Sequence, residues 1–131
     1  MYFRITIPSL KEGAKEEAMS FMKDTILPDF SGIEGLLSLT AMNAGENSLL
    51  NITAWDSKEA VYAQEEKFKT TMAAAAQFFA APPQMFEGDP VFGKVYQSIA
   101  QDEKKAGYMR LVIGMVKDKD AALANLKDNV E

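Results

Sequence analysis

Three stretches of the chain alternate between apolar and polar residues with a period of two, the pattern of a β-strand with one face toward a core. They span residues 2–7, 48–55 and 93–100. Residues 36–43 are predicted to form another strand, which pairs with 48–55 because the segment between them, 43–47, has the composition of a hairpin loop. The pattern therefore predicts four strands.

Two segments place apolar residues at helical spacing. The first follows an S-x-x-E capping-box spacing at residues 9–12 and extends to Pro28. The second follows the similar D-x-x-E spacing at 56–59 and continues through a run of alanines until Pro82 and Pro83. Pro8 is expected to end the first strand, because proline has no backbone N–H to donate.

The predicted order through residue 100 is β-α-β-β-α-β, an α+β, ferredoxin-like fold whose antiparallel sheet carries helices on one face. We expect residues 1–100 to form this domain. Apolar side chains cover the opposite face, and alternation assigns to it Phe3, Ile5, Ile7, Leu50, Ile52 and Ala54. Since the exposed patch would measure roughly several hundred Å², we expect a homodimer in which a second copy covers it.

The remaining residues, 101–131, are predicted to form a C-terminal extension of the domain. A charged link leads into an apolar strand at 108–116 and a short helix at 118–130. This extension packs either on its own domain or on the dimer partner, as an edge strand or an exchanged arm. Its similarity to residues 4–11 also allows an internal repeat, although few residues are identical.

Composition and charge exclude several classes of function. The 14 Lys and Arg against 19 Asp and Glu give a net charge of -5, without any basic cluster that would track a nucleic-acid backbone. The chain has no Cys and no His, so we expect no metal site and no haem ligand. No apolar run is long enough to span a membrane and no signal peptide is evident, so we expect a soluble, cytoplasmic protein.

Residues 49–60, with the sequence LLNITAWDSKEA, resemble the strand-to-helix junction of the antibiotic biosynthesis monooxygenase family. The resemblance covers residues 2–100 and implies a dimeric α/β barrel. In the family members that oxidise polycyclic phenols without a cofactor, an Asn and a Trp spaced like Asn51 and Trp55 line the substrate cavity. The resemblance therefore implies an oxygenase of aromatic phenols or quinols, with Asn51 and Trp55 as catalytic residues and no cofactor.

The residues predict a small-molecule site independently of this resemblance. Alternation places Asn51, Thr53 and Trp55 on one strand face, and the first strand is their neighbour in this fold. The expected ligand-binding residues are Tyr2, Arg4, Thr6, Thr53, Tyr62, Phe68 and Met72. Such a pocket has aromatic walls and a few hydrogen-bonding groups, which suits a small aromatic or apolar ligand.

The chemistry predicted for this site needs an oxyanion to be stabilised and a proton to be removed. The Asn51 amide, the Trp55 indole N–H and the Arg4 guanidinium can stabilise the oxyanion.

The candidate bases are the carboxylates Asp56, Glu65 and Glu87. Two rival interpretations remain: a binding module of the same fold without catalysis, and a structural homodimer with a filled core.

Overall fold

The computed structural model describes residues 1–91 and 110–112. Residues 1–91 lie in one compact unit, and residues 110–112 lie in a second. The predicted strand at 93–100 lies outside the described residues, as does the predicted C-terminal strand and helix except for 110–112, which form neither helix nor strand. The predicted domain boundary after residue 100 stays a prediction.

A four-stranded antiparallel sheet forms the centre of the first unit, in the order β2-β3-β1-β4. Its strands are β1 (Tyr2–Leu10), β2 (Leu36–Gly45), β3 (Ser48–Trp55) and β4 (Phe79–Gly88). One helical segment follows β1 and another follows β3. The predicted α+β, ferredoxin-like fold is therefore confirmed, with β1 and β3 central.

The fourth strand differs from the prediction. The second helical segment ends at Ala75, a 3₁₀ turn follows at Ala76–Phe78, and β4 then includes both Pro82 and Pro83. The prediction that these prolines end a helix and begin a loop was wrong. Because β4 is an edge strand of the described sheet, one proline can lack an outward N–H at no cost, and both lie where the pairing with β1 shifts register between the Ile7–Gln84 and Ser9–Ala81 pairs.

The first strand also continues past a proline, contrary to prediction. Pro8 is buried inside β1, and the pairing of β1 with β4 shifts register on both sides of Ser9. An irregularity of this kind accommodates a missing N–H. The Ser48 hydroxyl donates a hydrogen bond to the Pro8 carbonyl (3.2 Å), which ties the bend to β3.

The first helical segment consists of α1 (Lys15–Phe21), a π-helical turn (Met22–Ile26) and α2 (Leu27–Phe30). The predicted capping box at residues 9–12 was wrong, because Ser9 belongs to β1 and the N-cap, Ala14, provides no side-chain hydrogen bond. Pro28 lies in the first turn of α2, directly after the π-turn has interrupted the regular α-helical bonding, and so does not end the helix there.

The second helical segment consists of α3 (Lys58–Tyr62) and α4 (Glu65–Ala75). Its cap lies one residue later than the D-x-x-E spacing predicts, because the Ser57 hydroxyl accepts the hydrogen bond from the Ala60 N–H (3.1 Å). Gly35 allows close packing here: its φ is +87°, and a Cβ would lie 2.6 Å from the Ala60 Cβ.

The buried apolar residues form two clusters. The first consists of Leu10, Ala18, Leu49 and Phe78, and the second of Tyr2, Trp55 and Val61. Each cluster joins residues of β1 and β3 to residues of the helical segments. Within the described part of the chain, no helix is both long and apolar enough to cross a membrane.

Candidate functional site

The register of β1 against β3 brings the predicted site residues together on the face that the helices cover. Tyr2 pairs with Trp55, Arg4 with Thr53, and Thr6 with Asn51. Directly paired residues of an antiparallel ladder project from the same face of the sheet. Three adjacent rows of side chains therefore cross this face, and each row has a different environment.

The Thr6–Asn51 row borders a small, partly open cavity of about 50 Å³. Asn51, Thr6 and Thr71 provide its polar groups, and the rest of its lining is apolar, including Leu49, Phe21, Met22, Ile26, Met72, Phe78 and Phe79. The Asn51 Oδ1 is buried without a hydrogen-bond partner among the described residues. A buried amide oxygen normally has a hydrogen-bond partner. Because the Asn51 Oδ1 has none among the described residues, it can accept a hydrogen bond from a guest in the cavity.

The cavity would have to enlarge to take an aromatic ligand. Its volume suffices for a water molecule, whereas ligand sites measure about 300 Å³ or more. Two of its walls are thioethers, Met22 and Met72, which change rotamer more easily than branched or aromatic side chains. Met22 and Ile26 also belong to the π-turn, a helix irregularity that is frequent at functional sites.

The Arg4–Thr53 row contains a buried ion-pair cluster. Arg4 is only 5% exposed. Its Nε donates to the Glu87 Oε2 (2.8 Å) and its Nη2 to the Glu65 Oε1 (3.0 Å). The guanidinium also lies 4.6 Å from the centroid of the Phe68 ring. Two carboxylates thus neutralise the charge that the sequence assigned to oxyanion binding, and Arg4 does not border the Asn51 cavity.

A tyrosine completes this cluster. The Tyr62 hydroxyl donates to the Glu87 Oε1 (2.8 Å), and this bond is the largest cause that raises the pKa of Tyr62 to about 12. Burial alone would raise the pKa of Glu87, but hydrogen bonds from Tyr62 and Arg4 outweigh it, so this pKa lies below its ordinary value. Burial likewise acts to lower the pKa of Arg4, but its bonds to Glu65 and Glu87 raise it.

The Tyr2–Trp55 row is densely packed. Trp55 is 0% exposed and contacts Phe68, with 5.9 Å between ring centroids. Its indole Nε1 is buried and has no hydrogen-bond acceptor in the part of the chain that the structure describes. Trp55 does not border the Asn51 cavity. The two predicted catalytic residues therefore share a strand face, with the Arg4–Thr53 row between them.

The other predicted ligand-binding residues divide between these environments. Thr6 and Met72 border the cavity. Tyr2 is buried next to Trp55, and the Thr53 hydroxyl donates to the Arg4 carbonyl oxygen (3.4 Å). The remaining two, Phe68 and Tyr62, border Arg4, with Phe68 over the guanidinium and Tyr62 at the surface.

The candidate bases lie outside the cavity. Glu65 and Glu87 bind Arg4, and Asp56 borders a separate surface depression that Gln64 also borders. The sequence missed the position of Glu87 because no strand was predicted between the prolines at 82 and 83 and residue 93. In the structure Glu87 lies in β4 and pairs with Arg4 of β1, which explains the hydrogen bond between their side chains.

Sequence comparisons do not identify the chain. No protein-family model matches it. A search of curated proteins also finds no match. Solved structures provide the informative comparison.

The chain has the fold of antibiotic biosynthesis monooxygenases, and the predicted resemblance is confirmed at the level of the fold. A monooxygenase from Streptomyces coelicolor, the product of ActVA-Orf6 in complex with nanaomycin D, matches with a TM-score of 0.62 and 13% identity over 74% of this chain and 92% of its own. A structure described as a putative antibiotic biosynthesis monooxygenase from Chloroflexus aurantiacus matches with a TM-score of 0.57 and 19% identity, over 73% of this chain and 98% of that one. Another structure with that description, from Bordetella bronchiseptica, matches with a TM-score of 0.59 and 14% identity, over 70% of this chain and 97% of that one.

Proposed function

We propose that this chain is a cofactor-free monooxygenase that acts on an aromatic phenol or quinol-like molecule in the cavity beside Asn51. The observation that carries the proposal is the uncommitted Asn51 amide, whose Oδ1 is buried without a partner among the described residues at an otherwise mainly apolar cavity. The amide can donate to or accept from a substrate oxygen. The fold similarity to monooxygenases supports the same reaction class.

The proposed reaction balances without a redox cofactor. A phenol with a free para C–H reacts with O₂ to give the quinone and one water molecule, so one oxygen atom enters the ring and the other leaves as water. The substrate supplies all four electrons that reduce O₂. The protein holds the ring, excludes bulk water and stabilises the charge on the substrate oxygen by donation from the Asn51 Nδ2, because the Oδ1 can only accept a hydrogen bond.

The site differs from one with a dedicated base in how the substrate loses its phenolic proton. No carboxylate of the described residues borders the cavity, and Glu65 and Glu87 bind Arg4. The substrate must therefore ionise largely through its own acidity. We expect the rate to rise with pH through the pKa of the substrate and to shift when a phenol of different acidity is used. A rate that follows one fixed pKa for every phenol would contradict this account.

Oxygen consumption tests the function directly. The purified chain is incubated with an anthrone or with 1-naphthol, each of which has a C–H para to the oxygen, while dissolved O₂ and quinone formation are recorded, with ¹⁸O₂ to trace the inserted atom. We expect turnover in the native chain and its loss in Asn51→Ala. Asn47→Ala is the matched control, because it removes the same side-chain amide at an exposed position that does not border the cavity. Equal turnover in native and Asn51→Ala protein would overturn the assignment.

Binding without turnover is the second candidate function. Arg4 supports it, because it pairs with two carboxylates and no cation of the described residues borders the cavity to stabilise a phenolate. Under this alternative, an aromatic phenol raises the thermal midpoint of the native chain, less so in Asn51→Ala, while dissolved O₂ stays constant. A chain with neither stabilisation nor oxygen uptake would be the structural homodimer of the third interpretation.

We further propose that the chain acts as a homodimer through the sheet face opposite the helices. Phe3, Ile5, Ile7 and Ile52 are partly buried on this face, and Phe86 of β4 is exposed. A second copy of the same face would remove this apolar surface from water. Sedimentation analysis tests the proposal: Ile5→Glu should shift a dimer toward monomer, and a native chain that sediments as a monomer would contradict it.

The cytoplasmic location stays a prediction.

A further inference from the structure

The cavity beside Asn51 has a polar side and an apolar side. Its polar side chains are Asn51, Thr6 and Thr71. Its apolar side consists of five buried residues that also line it: Leu10, Ala18, Leu49, Ala75 and Phe78. All of these except Ala75 form one hydrophobic cluster. The cavity therefore offers hydrogen bonds on one side and only hydrocarbon side chains on the other.

The sheet register separates the two sides. Because β1 and β3 are antiparallel, Leu10, four residues after Thr6, lies in the same direction from the Thr6–Asn51 row as Leu49, two residues before Asn51. Leu10 and Leu49 then pack together in the hydrophobic cluster. The apolar side is thus displaced from the Asn51 amide along both strands.

Two alanines leave space on the apolar side. Ala18 of α1 and Ala75 at the end of α4 both line the cavity, and each is 7% exposed. A larger apolar side chain at either position would occupy part of the cavity of about 50 Å³. A space of this volume holds a molecule of a few atoms, whereas an aromatic ring needs the walls to move.

The apolar side suits a small molecule that makes no hydrogen bonds. A buried water molecule needs about two to four polar partners, and the side chains of the apolar side provide none. Apolar cavities in proteins stay dry and bind apolar guests such as xenon. Dioxygen is apolar and diatomic, and it is the second substrate of the proposed reaction. The two sides of the cavity therefore match the two substrates.

We propose that the apolar side of the cavity binds dioxygen while the phenolic oxygen binds at Asn51. This inference deepens the proposed function and rests on it. The thioethers of Met22 and Met72 change rotamer to admit the ring, whereas Leu10 and Leu49 belong to the paired central strands. Dioxygen bound there lies beside the ring, so the two reactants meet inside one cavity.

Xenon tests the site without turnover, because it is apolar and comparable in size to dioxygen. Methyl NMR spectra of the full chain are recorded under increasing xenon pressure. We expect saturable shifts of the Ala18 and Ala75 methyl signals in the native chain. A native chain without saturable shifts at these methyl groups, as expected for a cavity filled with water, would overturn the inference.

Variants that fill the space locate the xenon. Ala75→Val adds two methyl groups at the apolar side and should weaken xenon binding at least about tenfold, as measured at the Ala18 methyl. Ala74→Val is the matched control, because Ala74 is an exposed residue of α4 that does not border the cavity. Ala18→Val fills the same space from α1 if Ala75→Val fails to fold. Unchanged xenon affinity in a folded filling variant would overturn the site.

The oxygen dependence of turnover tests the role of the site. With 1-naphthol as substrate, Ala75→Val should raise the KM for O₂ about threefold or more and leave the KM for 1-naphthol unchanged. An increase in the KM for 1-naphthol alone would assign the space to the ring and overturn the inference. The two proposals fail separately: turnover without xenon shifts would contradict only the dioxygen site, whereas xenon shifts without turnover would contradict only the proposed function.

Discussion

The two ends of the covered sheet face differ in packing although the same two strands form them. At the Thr6–Asn51 row there is a partly open cavity, an amide oxygen without a described partner and a wall formed partly by a π-turn. At the Tyr2–Trp55 row the indole is completely buried against Phe68 and Val61. Between them, Arg4 and its two carboxylates separate the cavity from the packed aromatic cluster.

This difference shows that residues on one strand face need not share one site. A strand rises about 3.3 Å per residue, so Asn51 and Trp55 lie about 13 Å apart along β3. An intervening row that contains a buried, neutralised cation is enough to give them separate environments. The cavity end therefore has room to rearrange, whereas the packed end holds the helices on the sheet.

Truncating the packed end should have the largest effect on stability. Trp55→Ala removes a fully buried aromatic side chain, and such changes cost about 3–5 kcal/mol. Asn51→Ala, on the same strand, removes an amide without a described partner and should cost less than about 1 kcal/mol. Urea unfolding of both variants checks the contrast. Similar losses for the two variants would mean that the ends are packed alike.

Removing the dividing cation should have the next largest effect. Arg4→Met leaves Glu65 and Glu87 facing each other without a counter-charge. We expect a loss of about 1–3 kcal/mol, less than for a fully buried pair because both carboxylates are partly exposed. The same unfolding measurement applies. A variant as stable as the native chain would show that the attraction within the ion pairs only balances the free-energy cost of removing their charges from water.

The dependence of stability on acid pH should reveal the contribution of Glu87. Because its folded pKa is lower than its unfolded value of about 4.3, Glu87 stabilises the fold above that pH, and the contribution disappears as the pH falls through the folded pKa. Glu87→Gln should be less stable than the native chain near neutrality, and the difference should shrink in acid. Urea midpoints across this range provide the measurement. A difference that stays constant with pH would assign the loss to packing.

Replacing the amide at the cavity by an apolar side chain should have the smallest effect, and in the opposite direction. Asn51→Leu replaces an amide without a described partner by an apolar side chain of similar size, so we expect no loss or a gain of up to about 1 kcal/mol. Thermal unfolding checks the sign. A clear loss of stability would indicate that the native amide has a hydrogen-bonding partner, such as an ordered water.

The sequence predicted the central strands correctly because alternation is strongest where one face is buried. Ser48–Trp55 forms β3 as predicted, and the Leu36 start of β2 is also correct. The edge strand β4 was missed for a physical reason. Its prolines and the alanine run before it favour the end of a helix, and only the edge position together with the register shift in its pairing with β1 makes a strand with two prolines acceptable.

The candidate site was partly predictable for a related reason. The faces of β1 and β3 follow from alternation, which brings Asn51, Thr6 and Trp55 to one side of the sheet. The pairing of Arg4 with Glu65 and Glu87 joins residues 61 and 83 positions apart, and the π-turn at Met22–Ile26 has no sequence signal in the helical periodicity. Contacts of this kind depend on the assembled fold rather than on local pattern.

Calorimetric titration with a tricyclic phenol tests most directly whether the ligand occupies the cavity at Asn51. We predict that the native chain binds, that Asn51→Leu weakens binding about tenfold through the lost hydrogen bond, and that Trp55→Phe changes it by less than about threefold. Equal affinity in native and Asn51→Leu protein, or a greater loss in Trp55→Phe, would contradict the account.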